Sequence, residues 1–182
     1  MIRKPLRNLA FVSLFMSATA FAGDHDAVKS LSVDMDAVVE AGAVQPVDGV
    51  TSSGQPSEEA LQVFSDSGYV AVIDLRGESE DRGMENQQAV VEELGMDYVA
   101  LPIASRDGVS FENAERLDSL LEQYDGPVLV HCGSGNRVGA LLALRESLNG
   151  ASDEEALEYG REGGLTRLEG LVEERLQADD AQ

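Results

Sequence analysis

The chemistry-bearing stretch of this chain is His131-Cys132-Gly133-Ser134-Gly135-Asn136-Arg137, which contains its single cysteine. Before it, Asp125-Gly126-Pro127 leads into Val128-Leu129-Val130, a short apolar, β-branched run that reads as a buried strand entered from a turn. After it, Gly139 to Leu148 is a run of helix formers, apolar on nearly every side, as in a core helix. Cys132 is therefore expected at the end of a strand, under a loop whose backbone N–H groups can turn inward. The positive end of the next helix should point at it. That setting favours the thiolate. Gly133, Ser134, Gly135 and Asn136 would form a cradle for a tetrahedral anion, and Arg137 would add a planar, permanently charged fork. A nucleophile beneath an anion cradle is the equipment for phosphoryl transfer through a thiophosphate intermediate. The plainer reading, a buried structural cysteine, requires His131, two glycines and Arg137 to fall around the thiol by accident.

The flanking elements must bring these residues together. Residues 23–46 begin acidic and polar and read as a partly mobile segment with one short helix near Met35–Glu40. A first strand is expected over Val47–Thr51. Ser57 should cap a helix stopped by Gly68. Tyr69–Leu75 reads as a central strand, Gly77–Gly83 as a charged loop and Glu85–Leu94 as a helix. Tyr98–Ile103 is a further strand, and Ser110 caps a helix with Phe111, Ala114, Leu117 and Leu121 at helical spacing. Ser152-x-x-Glu155 is a capping-box pattern. Thr166–Leu176 closes the domain as an amphipathic helix, and 177–182 is a polar tail. Strands alternating with helices predict a single α/β domain over 47–176, a mostly parallel central sheet flanked by helices. Such folds carry their sites at the carboxyl ends of the strands.

That rule gathers more residues. Arg76 ends one expected strand, Arg106 follows another, and Arg137 follows the third. Together they would form a cationic, anion-binding focus on an acidic body. The alternative for Arg76 and Arg106 is pairing with acidic neighbours such as Glu78 and Asp107. Asp107, in the loop Ala104–Gly108, is the candidate general acid, against the reading of an ordinary Asp-Gly turn. Asp74 is a rival acid, though its position inside a strand beside Arg76 suits a structural partner better. His131 is expected to orient the loop and help hold the thiolate.

The pattern His131-Cys132-x-x-Gly135 with Arg137 resembles the cysteine-dependent protein tyrosine and dual-specificity phosphatases. It resembles more closely the bacterial beta-lactamase hydrolase-like (DUF442) phosphatase-like group. Ser53-Gly54-Gln55-Pro56, Val72-Ile73-Asp74-Leu75-Arg76 and Leu101-Pro102-Ile103 extend the likeness over Val47 to Leu165. The resemblance implies a cysteine-phosphatase-like (phosphotyrosine protein phosphatase II-like) domain, with Cys132 as nucleophile, Arg137 as clamp and a mobile loop bearing the acid. One departure matters: the phosphatase signature places five residues between Cys and Arg, and here four intervene, Gly133 to Asn136. That shorter spacing is similar to the rhodanese-like sulfurtransferase loop. Val138 follows Arg137, where phosphatases commonly carry Ser or Thr.

Residues 1–22 read as a Sec-type signal peptide: a basic start (Arg3, Lys4, Arg7), a short apolar core and an Ala20-Phe21-Ala22 cleavage site. Export to a periplasmic or outer compartment is the expectation. Cleavage removes three of thirteen basic residues and no acidic ones, taking the formal charge from −21 to −24. So acidic a chain disfavours nucleic acid and anionic lipid as partners and leaves a small anionic or phosphorylated substrate. With one cysteine there is no intramolecular disulfide and no resolving thiol for dithiol redox chemistry. No cofactor is expected. Cleavage would also expose Gly23-Asp24-His25, whose nitrogens suit square-planar copper(II) or nickel(II), although chance placement of His25 explains it as well. Three functions follow from these readings: a phosphate-ester hydrolase, a sulfurtransferase or sulfur carrier with a Cys132 persulfide, and a non-catalytic anion-binding module.

Overall fold

Five strands alternate with seven helices in the computed structural model, which describes residues 29–46, 49–81 and 83–179. The strands are β1 (Lys29–Val33), β2 (Gly49–Ser53), β3 (Ala71–Asp74), β4 (Asp97–Ala100) and β5 (Val128–His131). The helices are α1 (Met35–Ala41), α2 (Glu58–Asp66), α3 (Gln87–Glu93), α4 (Phe111–Leu121), α5 (Asn136–Leu148), α6 (Asp153–Glu162) and α7 (Glu169–Asp179). The sheet order is β1-β2-β5-β3-β4, and every neighbouring pair is parallel. The α/β class and the parallel sheet are as the sequence predicts.

Alternate strand residues face opposite layers. Val72 and Leu129 pack with Val38 of α1, Leu61 and Phe64 of α2, and Val91 of α3. Ile73 and Val130 pack with Leu117 of α4, Val138 and Leu141 of α5, and Tyr159 of α6. Residues of α6 and α7, with Ala140, Ala143 and Leu144 of α5, extend the second layer. The sheet is thus covered on both faces, as all-parallel sheets require.

Helix starts follow local chemistry. Asp34, Ser57, Asn86, Ser110 and Ser152 each accept a bond from the backbone N–H three residues on. The Ser152–Glu155 capping box is complete. At α5 the N-cap is Gly135, in the left-handed region at φ 77°, with no side-chain cap. A glycine there costs least.

The domain boundary differs from the expectation. Residues 29–46 are not a loose leader to a domain starting at 47. β1 pairs along its length with β2, and α1 packs Val38 into the core. The strand is hard to see because only Leu31 and Val33 in it are apolar, and Leu31 is exposed. At the other end, α7 runs to Asp179, past the expected polar tail boundary. The signal-peptide reading over 1–22 and the Gly23-Asp24-His25 metal reading lie outside the described residues. Among the described residues no helix is long and apolar enough to cross a membrane.

Candidate functional site

Register decides what meets at the top of the sheet. Ser53 of β2, His131 of β5 and Asp74 of β3 are aligned partners, so β2, β5 and β3 end at one level. The chain then leaves β5 toward the second helical layer, whereas β2 and β3 lead into the first. Neighbouring strands that diverge in this way open a crevice, the switch point where such sheets bind ligands. Here the crevice is a cleft of about 640 Å³ walled by Gly54 and Gln55 after β2, Gly133 and Ser134 after β5, and residues 32–36. Gly54 and Ser134 bridge across one side of it.

Cys132 comes just after β5 and immediately before the Gly133–Ser134 wall. The backbone N–H donates to the Ser53 carbonyl at 3.3 Å, and the residue is 1% exposed. Arg137, on the first turn of α5, brings its guanidinium beside this thiol. The loop between them is tied down from behind. Asn136 Oδ1 accepts from the Thr166 backbone N–H at 2.8 Å and from the Thr166 hydroxyl at 3.2 Å. The Asn136 side chain, expected in the anion cradle, is therefore spent on anchoring the loop. Farther along α5, a Cβ at Gly139 would overlap the Leu165 nitrogen and the Gly160 carbonyl oxygen, so a glycine is required where α5 meets α6.

The Arg137 fork has a partner that sequence reasoning did not name. Glu80 accepts from Nη1 at 2.6 Å and from Nη2 at 2.5 Å. Nη1 also donates to the Ile103 carbonyl at 3.0 Å. Glu80 is held in turn by the Gly77 N–H at 2.8 Å. Arg137 pulls the Glu80 carboxyl below its usual range. The Glu80 hydrogen bonds push the guanidinium above its own. The only sequence signal for Glu80 was its place in the charged loop after Arg76.

Arg76 has a different place from the one expected. Instead of facing an anion, it is 1% exposed and bound into the fold. Its Nε and Nη2 donate to Asp74 Oδ1 and Oδ2, each at 2.9 Å, and it also bonds Gln87 Oε1 and the Asp81 carbonyl. A guanidinium sealed by four acceptors has no fork left for substrate. Asp74 accepts from Tyr98 as well, at 2.9 Å. Burial pushes its carboxyl up, but the hydrogen bonds from Arg76 outweigh that and hold it at about 2. With both oxygens bonded to Arg76 and no exposed side-chain surface, Asp74 sits as the structural partner of that arginine. His131 is fully buried, with Nε2 2.8 Å from Gln87 Nε2 and 3.8 Å from Asp74 Oδ1.

Arg106 and Asp107 stand apart from this cluster. Both are exposed on the turn after β4, closed by the Gly108 N–H donating to the Ala104 carbonyl at 2.9 Å. That turn begins just after Ile103, whose carbonyl holds Arg137. It therefore lies on the site's edge of the sheet, with its side chains toward solvent.

A parallel α/β domain with a thiol at a strand end, a short glycine loop and an arginine on the following helix defines the cysteine-phosphatase fold. A family model described as DSP-PTPase phosphatase fused to NAD+ kinase matches residues 32–174, and the chain belongs to that family. Among curated proteins it is similar to the beta-lactamase hydrolase-like protein of Xylella fastidiosa, 29% identical over 109 residues, 58% of this chain and 25% of that one. The corresponding Agrobacterium fabrum protein is 26% identical over 127 residues, covering 68% of this chain and 29% of the relative. The chain thus spans between a quarter and a third of the length of these relatives. Among solved structures, a candidate phosphatase from Neisseria meningitidis superposes with a TM-score of 0.60 at 22% identity, over 73% of this chain and 92% of that one. A DUF442 candidate phosphatase from Shewanella putrefaciens gives 0.56 at 22% identity, over 76% and 88%. At that identity the likeness is one of fold.

Proposed function

We propose that this protein is an exported cysteine-dependent phosphatase acting on a small phosphate monoester. The observation that carries this reading is the buried Cys132 thiol just after β5, beside the Arg137 guanidinium of the first turn of α5 and next to the Gly133–Ser134 wall of the switch-point cleft. The Cys132 thiolate attacks phosphorus, and the bond from phosphorus to the ester oxygen breaks. The alcohol leaves with a proton from Asp107, the exposed carboxylic acid on the β4–α4 turn. Water then attacks the thiophosphate and gives a proton back to Asp107, while the S–P bond breaks to release inorganic phosphate and restore the thiolate. Arg137 and the N–H groups of the loop stabilise the equatorial oxygens.

One observation favours a second reading. The loop is one residue short of the phosphatase signature, and Glu80 and the Ile103 carbonyl already occupy much of the Arg137 fork. A smaller sulfur species asks for fewer donors. The thiolate would attack the outer sulfur of thiosulfate, break the S–S bond, keep a persulfide and release sulfite. On one preparation, hydrolysis of an activated aryl phosphate and persulfide formation from thiosulfate are to be compared. Hydrolysis that disappears in Cys132→Ser supports the phosphatase. A persulfide with no hydrolysis overturns it. Phosphate binding with neither reaction makes the site a binding module. The export reading is checked separately by mass spectrometry of protein from its native host, where a chain starting at Gly23 is expected.

A further inference from the structure

Gln87 lies on α3, and nothing in the reaction above uses it, yet it is 2% exposed and bonded on both sides of its amide. On one side Oε1 accepts from Arg76. On the other Nε2 is 2.8 Å from His131 Nε2. An arginine can only donate, so the amide oxygen must face it and the NH2 must face the imidazole. That NH2 can only donate as well, so His131 Nε2 must accept. A ring whose Nε2 accepts carries its proton on Nδ1 and is neutral. We infer that Gln87 is a positioning residue that holds His131, the neighbour of Cys132, as the neutral Nδ1–H imidazole.

The charged and titratable groups around His131 allow this. Asp74 on β3 would favour the imidazolium, but its Oδ1 is 3.8 Å from Nε2, beyond a hydrogen bond. Both its oxygens already take bonds from Arg76, and one also takes the Tyr98 hydroxyl of β4. Arg76 itself, next to Gln87, opposes a second cation there. Cys132 follows His131 in the chain, and Arg137 stands beside that thiol. The amide cannot turn over to accept from a protonated ring, because it would then point its NH2 at Arg76. Arg137 and the loop are thereby left as the positive groups at Cys132, and Nε2 is withheld from proton transfer. This functional consequence rests on Cys132 being the reacting group. The protonation state itself does not.

The test is nitrogen-15 NMR of histidine-labelled protein. Only two histidines are present, so a His25→Ala background leaves His131 alone. Nitrogen shifts separate the Nδ1–H and Nε2–H neutral forms from the imidazolium. The wild-type side chain is expected to show the Nδ1–H pattern at neutral pH and to keep it down to about pH 5, below the ordinary histidine midpoint near 6.5. An Nε2–H or imidazolium pattern at neutral pH overturns the inference, whatever activity the enzyme shows. In Gln87→Glu the new carboxylate can only accept, so the Nε2–H or imidazolium pattern should replace the Nδ1–H one. An unchanged pattern in that variant likewise overturns it. Should Gln87→Glu fail to fold, Gln87→Met removes the donor without adding charge and should let His131 titrate near its ordinary midpoint. If Gln87→Met still holds the Nδ1–H pattern at pH 5, Gln87 is not what sets it.

Discussion

Two arginines, Arg76 and Arg137, close the upper edge of this sheet with the same chemistry and different surroundings. Each holds a carboxylate through two nitrogens. The Arg76–Asp74 pair has no exposed side-chain surface, whereas in the Arg137–Glu80 pair the side chains are 10% and 38% exposed. Taking two charges out of water carries a large desolvation cost, met only where every donor and acceptor is used. Asp74 and Arg76 satisfy that condition with Gln87, Tyr98 and a backbone carbonyl. Glu80 keeps contact with water and can yield its place. The comparison separates a pair sealed between strands and loops from one whose carboxylate stays in contact with water.

The strongest way to break that distinction is to truncate both arginines. Arg76→Ala leaves the Asp74 carboxylate buried without its partner and should cost about 3–5 kcal/mol of folding free energy. Urea unfolding monitored by circular dichroism measures it. A midpoint close to wild type would show that Arg76 is not the sealed structural residue described. Arg137→Ala should instead lower turnover by roughly a hundred- to a thousandfold, the scale expected for losing a donor to transition-state charge. Its stability loss should be the smaller of the two, because water can take over solvating Glu80 and only the Ile103 and Leu75 carbonyls lose a donor. Steady-state kinetics and the same urea titration, run in parallel, check both halves. Similar stability losses in the two variants would erase the contrast.

Acid titration sharpens the sealed side. Asp74 has its carboxyl at about 2, below its ordinary 3.8. The unfolded chain therefore takes up this proton at a higher pH than the native one does. The stabilisation is full above about pH 4 and is lost as pH falls toward 2, a change of roughly 2–3 kcal/mol. Urea midpoints measured across that window should fall in wild type. Asp74→Asn, less stable throughout, should lose this contribution to the slope. An equal slope in both would assign the acid sensitivity elsewhere.

The smallest expected effect lies on the open side. Glu80→Gln removes a negative charge that competes for the Arg137 fork. Inorganic phosphate should then bind about tenfold more tightly, close to 1.4 kcal/mol by isothermal titration. Weaker binding would mean that Glu80 aims the guanidinium and does not compete for it.

Much of this was legible along the chain because it depends on neighbours in sequence. The Ser57, Ser110 and Ser152 caps, the buried strand before His131 and the core helix after Arg137 each follow from side chains within a few residues. Cys132 and Arg137 could be paired for the same reason, since one strand, one loop and one turn of helix separate them. The alternation of strands and helices determined the fold class, and the parallel sheet brought the strand ends together. What local pattern could not decide was which charge faces which. Arg76 and Arg137 look alike in sequence, each following a strand, and only the packed structure seals one against Asp74 and sets the other against the partly exposed Glu80. Glu80 lies 57 residues from Arg137, and Gln87 lies 44 from His131. No periodicity links such pairs, because the contacts arise from strand order and loop placement. Edge strand β1 escaped notice for a related reason. It is specified by backbone pairing to β2, with too few apolar side chains to mark it.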